Sequence, residues 1–171
     1  MINKRYFVLA AAAVVTLFVP LVRQAYAESY LTPSVGYYDV VRKKDPAALF
    51  GLEYRFDEWS CKLRPIIGGF ATSDGGTYGY VGANYDVTLM PNQLYLVPNF
   101  SVGAYSDGSG RQLGGTLEFR SGIELDYQLP NTQQVGIAFN HISNAGIYNR
   151  NPGEETLLVN YSIPTGMIFG R

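Results

Sequence analysis

From residue 30 to residue 164 the chain changes chemical character at almost every step. In the stretch from Glu118 to Tyr127, Phe119, Ile123, Leu125 and Tyr127 occupy alternate positions. Glu118, Arg120, Glu124 and Asp126 occupy the others. A β-strand sends successive side chains to opposite faces, so this is the pattern of a two-faced sheet. It recurs as Phe50, Leu52, Tyr54 and Phe56 against Glu53, Arg55 and Asp57, and as Val81, Ala83, Tyr85 and Val87 against Tyr80, Asn84 and Asp86. Eight segments carry it, at 30–40, 46–56, 60–72, 77–88, 94–105, 113–129, 132–142 and 154–164. Turn-forming residues separate them at Arg42–Asp45, Asp57–Glu58, Ser73–Gly76, Met90–Gln93, Ser106–Gly110, Pro130–Asn131 and the longer Ser143–Gly153. No helical period of useful length competes.

Soluble sandwiches alternate too. Here both signs of charge share one face, and 14 Tyr accompany 9 Phe. An outer-membrane barrel has this character, aromatic and apolar outside, polar and charge-paired inside. Lipid tolerates no open sheet edge, so the sheet must close. Eight strands leave an interior filled by side chains rather than a pore. The expected fold is all-β, an eight-stranded antiparallel transmembrane β-barrel of the outer membrane. Gly82, Gly122 and Gly136 are expected to relieve crowding inside, and Glu53, Arg55, Arg64, Glu118, Arg120, Glu124 and Asp126 to form an interior network. The soluble alternative is a secreted lipocalin-like barrel with the two faces exchanged.

The first 27 residues read as a secretory signal peptide. Lys4 and Arg5 precede an apolar run from Tyr6 to Val22, and Ala25-Tyr26-Ala27 is a small-x-small cleavage pattern. Residues 28–171 then form a single barrel domain. Losing Lys4, Arg5 and Arg23 takes 13 basic residues to 10 against 14 acids, a net −4. Such a balance argues against a nucleic-acid partner. A single Cys, Cys61, forms no internal disulfide and no Cys-rich metal site. Chain ends of bacterial barrels lie in the periplasm, which puts 41–45, 73–76, 106–112 and 143–153 on the outer side.

The chemistry concentrates where the seventh strand ends. Parity places the single histidine, His141, with Ser143 on the face of Val135, Ile137 and Phe139. On the eighth strand Glu155 shares the face of Leu157, Val159 and Tyr161. A carboxylate on a lipid-facing surface is costly without a partner, and His141 is at hand. His, Ser and an acid are the parts of a hydrolytic triad. Glu154, next to Glu155, competes for the acid's role. A triad opening sideways to the outer leaflet points to a lipid ester as substrate.

The run His141-Ile142-Ser143-Asn144-Ala145-Gly146, followed by Asn151-Pro152-Gly153-Glu154-Glu155, resembles the signature of the PagL family of lipid A 3-O-deacylases. The resemblance implies Ser143 as nucleophile, His141 as general base and Glu155, the better match of the two acids, as its orienting partner. It implies an oxyanion hole at Asn144 with backbone N–H groups near Gly146. The implied reaction removes the ester-linked 3-hydroxyacyl chain at position 3 of lipid A, without cofactor or metal. Arg42, Lys43, Lys44 and Arg150 are then candidate contacts to the lipid A phosphates, the first three otherwise reading as a solvated charged loop. The implied partner is lipopolysaccharide of a Gram-negative outer membrane, reached by export through the periplasm. A homodimer is compatible with such a barrel but not derivable from the sequence. A phospholipase on glycerophospholipids and a non-catalytic structural barrel are the alternatives.

Overall fold

The computed structural model describes residues 28–59 and 61–170. The expected signal peptide, 1–27, lies outside the described residues. In chain order the strands are β1 (Tyr30–Tyr38), β2 (Ala47–Arg55), β3 (Leu63–Thr72), β4 (Thr77–Tyr85), β5 (Val87–Met90), β6 (Leu94–Ser106), β7 (Leu117–Gln128), β8 (Gln134–Ser143) and β9 (Glu154–Pro164), followed by a short helix α1 (Thr165–Phe169). All neighbours pair antiparallel. The β1–β9 and β4–β6 pairings close the sheet into a ring. β5 prolongs β4 without change of register: Asn84 faces Asn99 and Val87 faces Leu96. The barrel therefore has eight strands, the fourth interrupted at Asp86.

Three of the differences from the expected segments have a clear physical cause. The fourth segment breaks because the Asp86 carboxylate turns to Arg64, 3.2 Å away, and its N–H bonds the Lys62 carbonyl. The third strand begins at Leu63, after Cys61 and Lys62 take left-handed conformations. The sixth expected segment begins at Leu117 rather than 113. Gly114 has a φ of 109°, which only glycine adopts freely, and Leu113 is buried as part of a loop.

Burial settles which face is which. Val35, Phe50, Leu52, Ile67, Val81, Phe100, Ile123, Ile137 and Val159 are exposed around the circumference. Glu53, Arg55, Arg120, Glu124, Asp126, Asn140 and Asn160 are buried inside. A soluble barrel would reverse this. A closed ring with an apolar outside and a charged inside is a membrane-spanning barrel.

The interior is an ion-pair network. Arg55 reaches Glu53 at 2.9 Å, Glu124 at 2.8 Å and Asp126 at 3.2 Å. Arg120 pairs with Glu53 at 3.0 Å and lies over the Tyr80 ring. Gly136 leaves the space that the Asp126 and Glu124 carboxylates occupy. Arg64 sits apart, toward Asp86 and the Glu28 and Phe56 carbonyls. Glu118 does not join the network: it is buried, and its carboxylate oxygens have no hydrogen-bond partner among the described residues.

Toward the end carrying the longer connections, Tyr38, Phe70, Tyr78 and Tyr105 fill the lumen, Tyr38 and Tyr105 stacked and joined through their hydroxyls at 2.8 Å. This is the extracellular end in bacterial barrels. Its first loop is built around Asp39. Burial alone would raise that carboxyl's pKa. The N–H groups of Asp45, Lys44 and Lys43, which it accepts, hold it below the ordinary aspartate value.

Candidate functional site

His141 and Ser143 stand on the outward face of β8 at its extracellular end, separated by the buried Ile142. Across the ladder to β9, His141 is paired with Glu155. Their side chains meet: His141 Nδ1 is 3.0 Å from Glu155 Oε1. The carboxylate is 14% exposed and the imidazole 42%, so the acid is shielded while the ring remains open to an incoming molecule. On β7, Phe119 is the register partner of Ser143, and Ser121 that of His141.

The two adjacent acids part company by parity. Glu154 turns into the barrel, is fully buried, and lies 3.0 Å from the Arg111 Nε. Glu155 turns out toward His141. The Glu155 N–H donates to Glu154 Oε1 at 2.9 Å, so the inward acid fixes the backbone of the outward one.

Asn144 is a correction. Its side chain is fully buried, and its Nδ2 donates to the Leu113 and Arg150 carbonyls, both at 2.8 Å. No amide N–H is left for an oxyanion outside the barrel. Its Oδ1 accepts the Gly146 N–H at 3.1 Å, and its own backbone N–H donates to Asn151 Oδ1 at 3.0 Å. Asn144 is a clasp between the third and fourth outer loops. It shapes the turn that follows, in which Ala145 and Gly146 both have positive φ and the Ile147 N–H closes onto the Asn144 carbonyl. The Gly146 N–H is thus engaged in this conformation, whereas the Ala145 N–H has no partner among the described residues.

The basic candidates divide. Arg42, Lys43, Lys44 and Arg150 are all exposed. The Arg42 guanidinium reaches across to donate to the Pro152 carbonyl, next to the site. Lys43 and Lys44 are placed by their backbone bonds to Asp39. Arg150 offers its carbonyl to Asn144 and leaves its side chain at the surface.

Sequence reasoning missed Gly153 and Arg111. Gly153 has a φ of 65°, and a Cβ there would lie 2.7 Å from His141 Cε1 and 3.3 Å from Nε2. Only glycine lets the backbone lie against the imidazole. The Pro152-Gly153 pair preceding the acids was the available signal. Gly153→Ala is expected to displace the ring from Glu155, with the barrel still folded. The ring-nitrogen NMR signals of His141 in detergent micelles check this, and unchanged signals would mean that the backbone yields instead.

A family model described as lipid A 3-O-deacylase (PagL) matches residues 48–164, which include the His141–Gly146 run and Glu155. Among solved structures, the chain is similar to the outer membrane enzyme PagL, with a TM-score of 0.62 and 22% identity over 79% of this chain and 99% of that one. It is also similar to a de novo designed transmembrane β-barrel, with a TM-score of 0.54 and 14% identity over 83% and 100% of the chains. Neisserial surface protein A gives 0.51 and 13% over 80% and 95%. At these identities the structures speak for the fold. A search of curated proteins returns no match.

Proposed function

The chain belongs to the PagL family of lipid A 3-O-deacylases, outer-membrane enzymes, and on that premise we propose that it is a serine esterase that removes the 3-O-linked 3-hydroxyacyl chain of lipid A through Ser143, His141 and Glu155. The observation that carries the reading is the 3.0 Å contact between His141 Nδ1 and Glu155 Oε1 on the lipid-facing surface.

That contact supports a defined division of labour. With Nδ1–H directed at Glu155, the imidazole keeps Nε2 unprotonated and able to accept a proton. Ser143 Oγ attacks the ester carbonyl carbon while its proton passes to Nε2. The imidazolium so formed is stabilised by Glu155. The bond between the acyl carbon and the sugar's ester oxygen then breaks, the proton moves from Nε2 to the leaving alkoxide, and an acyl-serine remains. Water, giving a proton to the same Nε2, attacks the acyl-serine; the acyl carbon–Oγ bond breaks, Nε2 returns the proton to Oγ, and the 3-hydroxy fatty acid and free Ser143 are released.

Charge on the carbonyl oxygen needs donors. The main chain of the Asn144–Ile147 turn is proposed for this, through the Ala145 N–H and, on exchanging its Asn144 partner, the Gly146 N–H. Asn144 holds the turn rather than the oxyanion. Arg42, Lys43, Lys44 and Arg150 are proposed to meet the lipid A phosphates. Arg42 is the best placed of them because it already bridges to Pro152.

Mass spectrometry of lipid A from a Gram-negative host expressing the chain tests the proposal. Wild type is expected to remove one 3-hydroxyacyl unit. Glu155→Ala is expected to lose about 10²–10⁴ of the rate by releasing the imidazole from its tautomer and orientation. A shift in glycerophospholipids with unchanged lipid A would establish a phospholipase instead. Full activity of Glu155→Ala would remove the acid from the mechanism.

A further inference from the structure

We propose that Arg111, on the loop between β6 and β7, is a positioning residue for the hydrolytic site, acting through Gly153 and Glu154 on the imidazole and carboxylate outside the barrel wall. This rests on the esterase reading of Ser143, His141 and Glu155.

Arg111 is far from these residues in sequence and on the other side of the wall. Its side chain is 9% exposed. From inside, its Nε donates to the Gly153 carbonyl at 3.3 Å and lies 3.0 Å from Glu154 Oε2. Its Nη1 is 3.8 Å from Asp45 of the first loop. The Arg111 carbonyl accepts the Tyr105 hydroxyl at 2.8 Å, and Tyr105 in turn accepts from Tyr38. The Arg111 backbone is therefore tied to the aromatic plug while its guanidinium faces the segment from Gly153 to Glu154.

That segment sets the outer geometry. The Gly153 backbone is the surface against which the imidazole lies. Glu154 holds the Glu155 N–H, and strand alternation converts an inward Glu154 into an outward Glu155. Glu154 is fully buried, and Arg111 is its only ion-pair partner among the described residues. Without the guanidinium, a buried carboxylate is left uncompensated, and the segment must move or take up a proton. The single Nε–H goes to the Gly153 carbonyl while the guanidinium charge faces Glu154 and, through Nη1, Asp45, an arrangement that suits a planar, delocalised cation. A lysine ammonium supplies the charge without that geometry.

The chain's single histidine makes the effect readable. The nitrogen and ring-proton NMR signals of His141 would be recorded in detergent micelles for Ser143→Ala alone and combined with Arg111→Gln or Arg111→Lys. Rates on lipid A would be measured for the two arginine variants with Ser143 intact. Heat-modifiable migration reports folding. Arg111→Gln is expected to shift the Nδ1–H signal and to lower kcat about 10–100-fold with KM within about threefold, the cost of a misplacement on the order of an ångström. Arg111→Lys keeps the charge, and is expected to fold with an intermediate kcat and a smaller shift. Folded variants with unchanged His141 signals and unchanged kcat would overturn the proposal and leave Arg111 as a loop fastener. If Arg111→Gln does not fold, the Arg111→Lys comparison decides alone. Activity surviving Ser143→Ala would refute the esterase reading, a result that the His141 signals do not share.

Discussion

Replacing Ser143 by alanine is expected to abolish release of the 3-hydroxy fatty acid, a loss on the order of 10⁴-fold or more in kcat, with the barrel intact. The size follows from chemistry. Without Oγ there is no acyl-enzyme, and what remains is whatever a positioned water achieves. His141→Ala is expected to lose about as much, because a serine hydroxyl without a base is a poor nucleophile. The double variant should be no slower than either single one, since the two residues serve one step and their effects do not add. Neither substitution touches the interior network or the ladder hydrogen bonds, so heat-modifiable folding should persist. The measurement is lipid A mass spectrometry beside initial rates of the purified variants. A folded Ser143→Ala protein with wild-type turnover would move the nucleophile elsewhere. Rates that multiply in the double variant would mean that Ser143 and His141 act independently.

The barrel was legible because its physics is local. One-residue alternation decides the face of every side chain, and lipid on one side forces the two faces apart in chemistry. Parity alone left inside and outside open, and closure around the charged set decided it. The break at Asp86 was not legible. It follows from the ion pair with Arg64 across a neighbouring strand, which no period records. Nor was the five-residue α1, too short to show a helical repeat. At the site, the same parity that joined His141 to Glu155 also puts Asn144 on the inward face. The rule that found the pair thus argued against an outward amide for Asn144, and the hydrogen bonds to Leu113 and Arg150 show why. Arg111 had no such signal. Its partner Gly153 is 42 positions away, and the connection exists only once the outer loops converge.

The interior carries the second large effect. Arg55 is the shared counter-ion of Glu53, Glu124 and Asp126, all buried, and among the described residues the three carboxylates pair with two guanidinium groups, those of Arg55 and Arg120. Arg55→Met retains much of the volume and removes one of the two cations. Arg120 still reaches Glu53, but Glu124 and Asp126 keep no cation within ion-pair distance among the described residues. Breaking a buried pair by removing one partner typically costs about 3–5 kcal/mol, because the charge left behind cannot return to water. Arg55→Met is expected to destabilise the barrel by that amount, read as a lower midpoint in reversible urea unfolding in bilayers. Adding Glu124→Gln and Asp126→Asn should restore most of the loss, since the stranded charges are then gone and only hydrogen bonds remain to be satisfied. If the triple variant is as unstable as Arg55→Met, the arginine's packing rather than its charge holds the lumen together. If Arg55→Met alone is neutral, water entering the barrel is solvating the acids, and the network is a filling rather than a fastening.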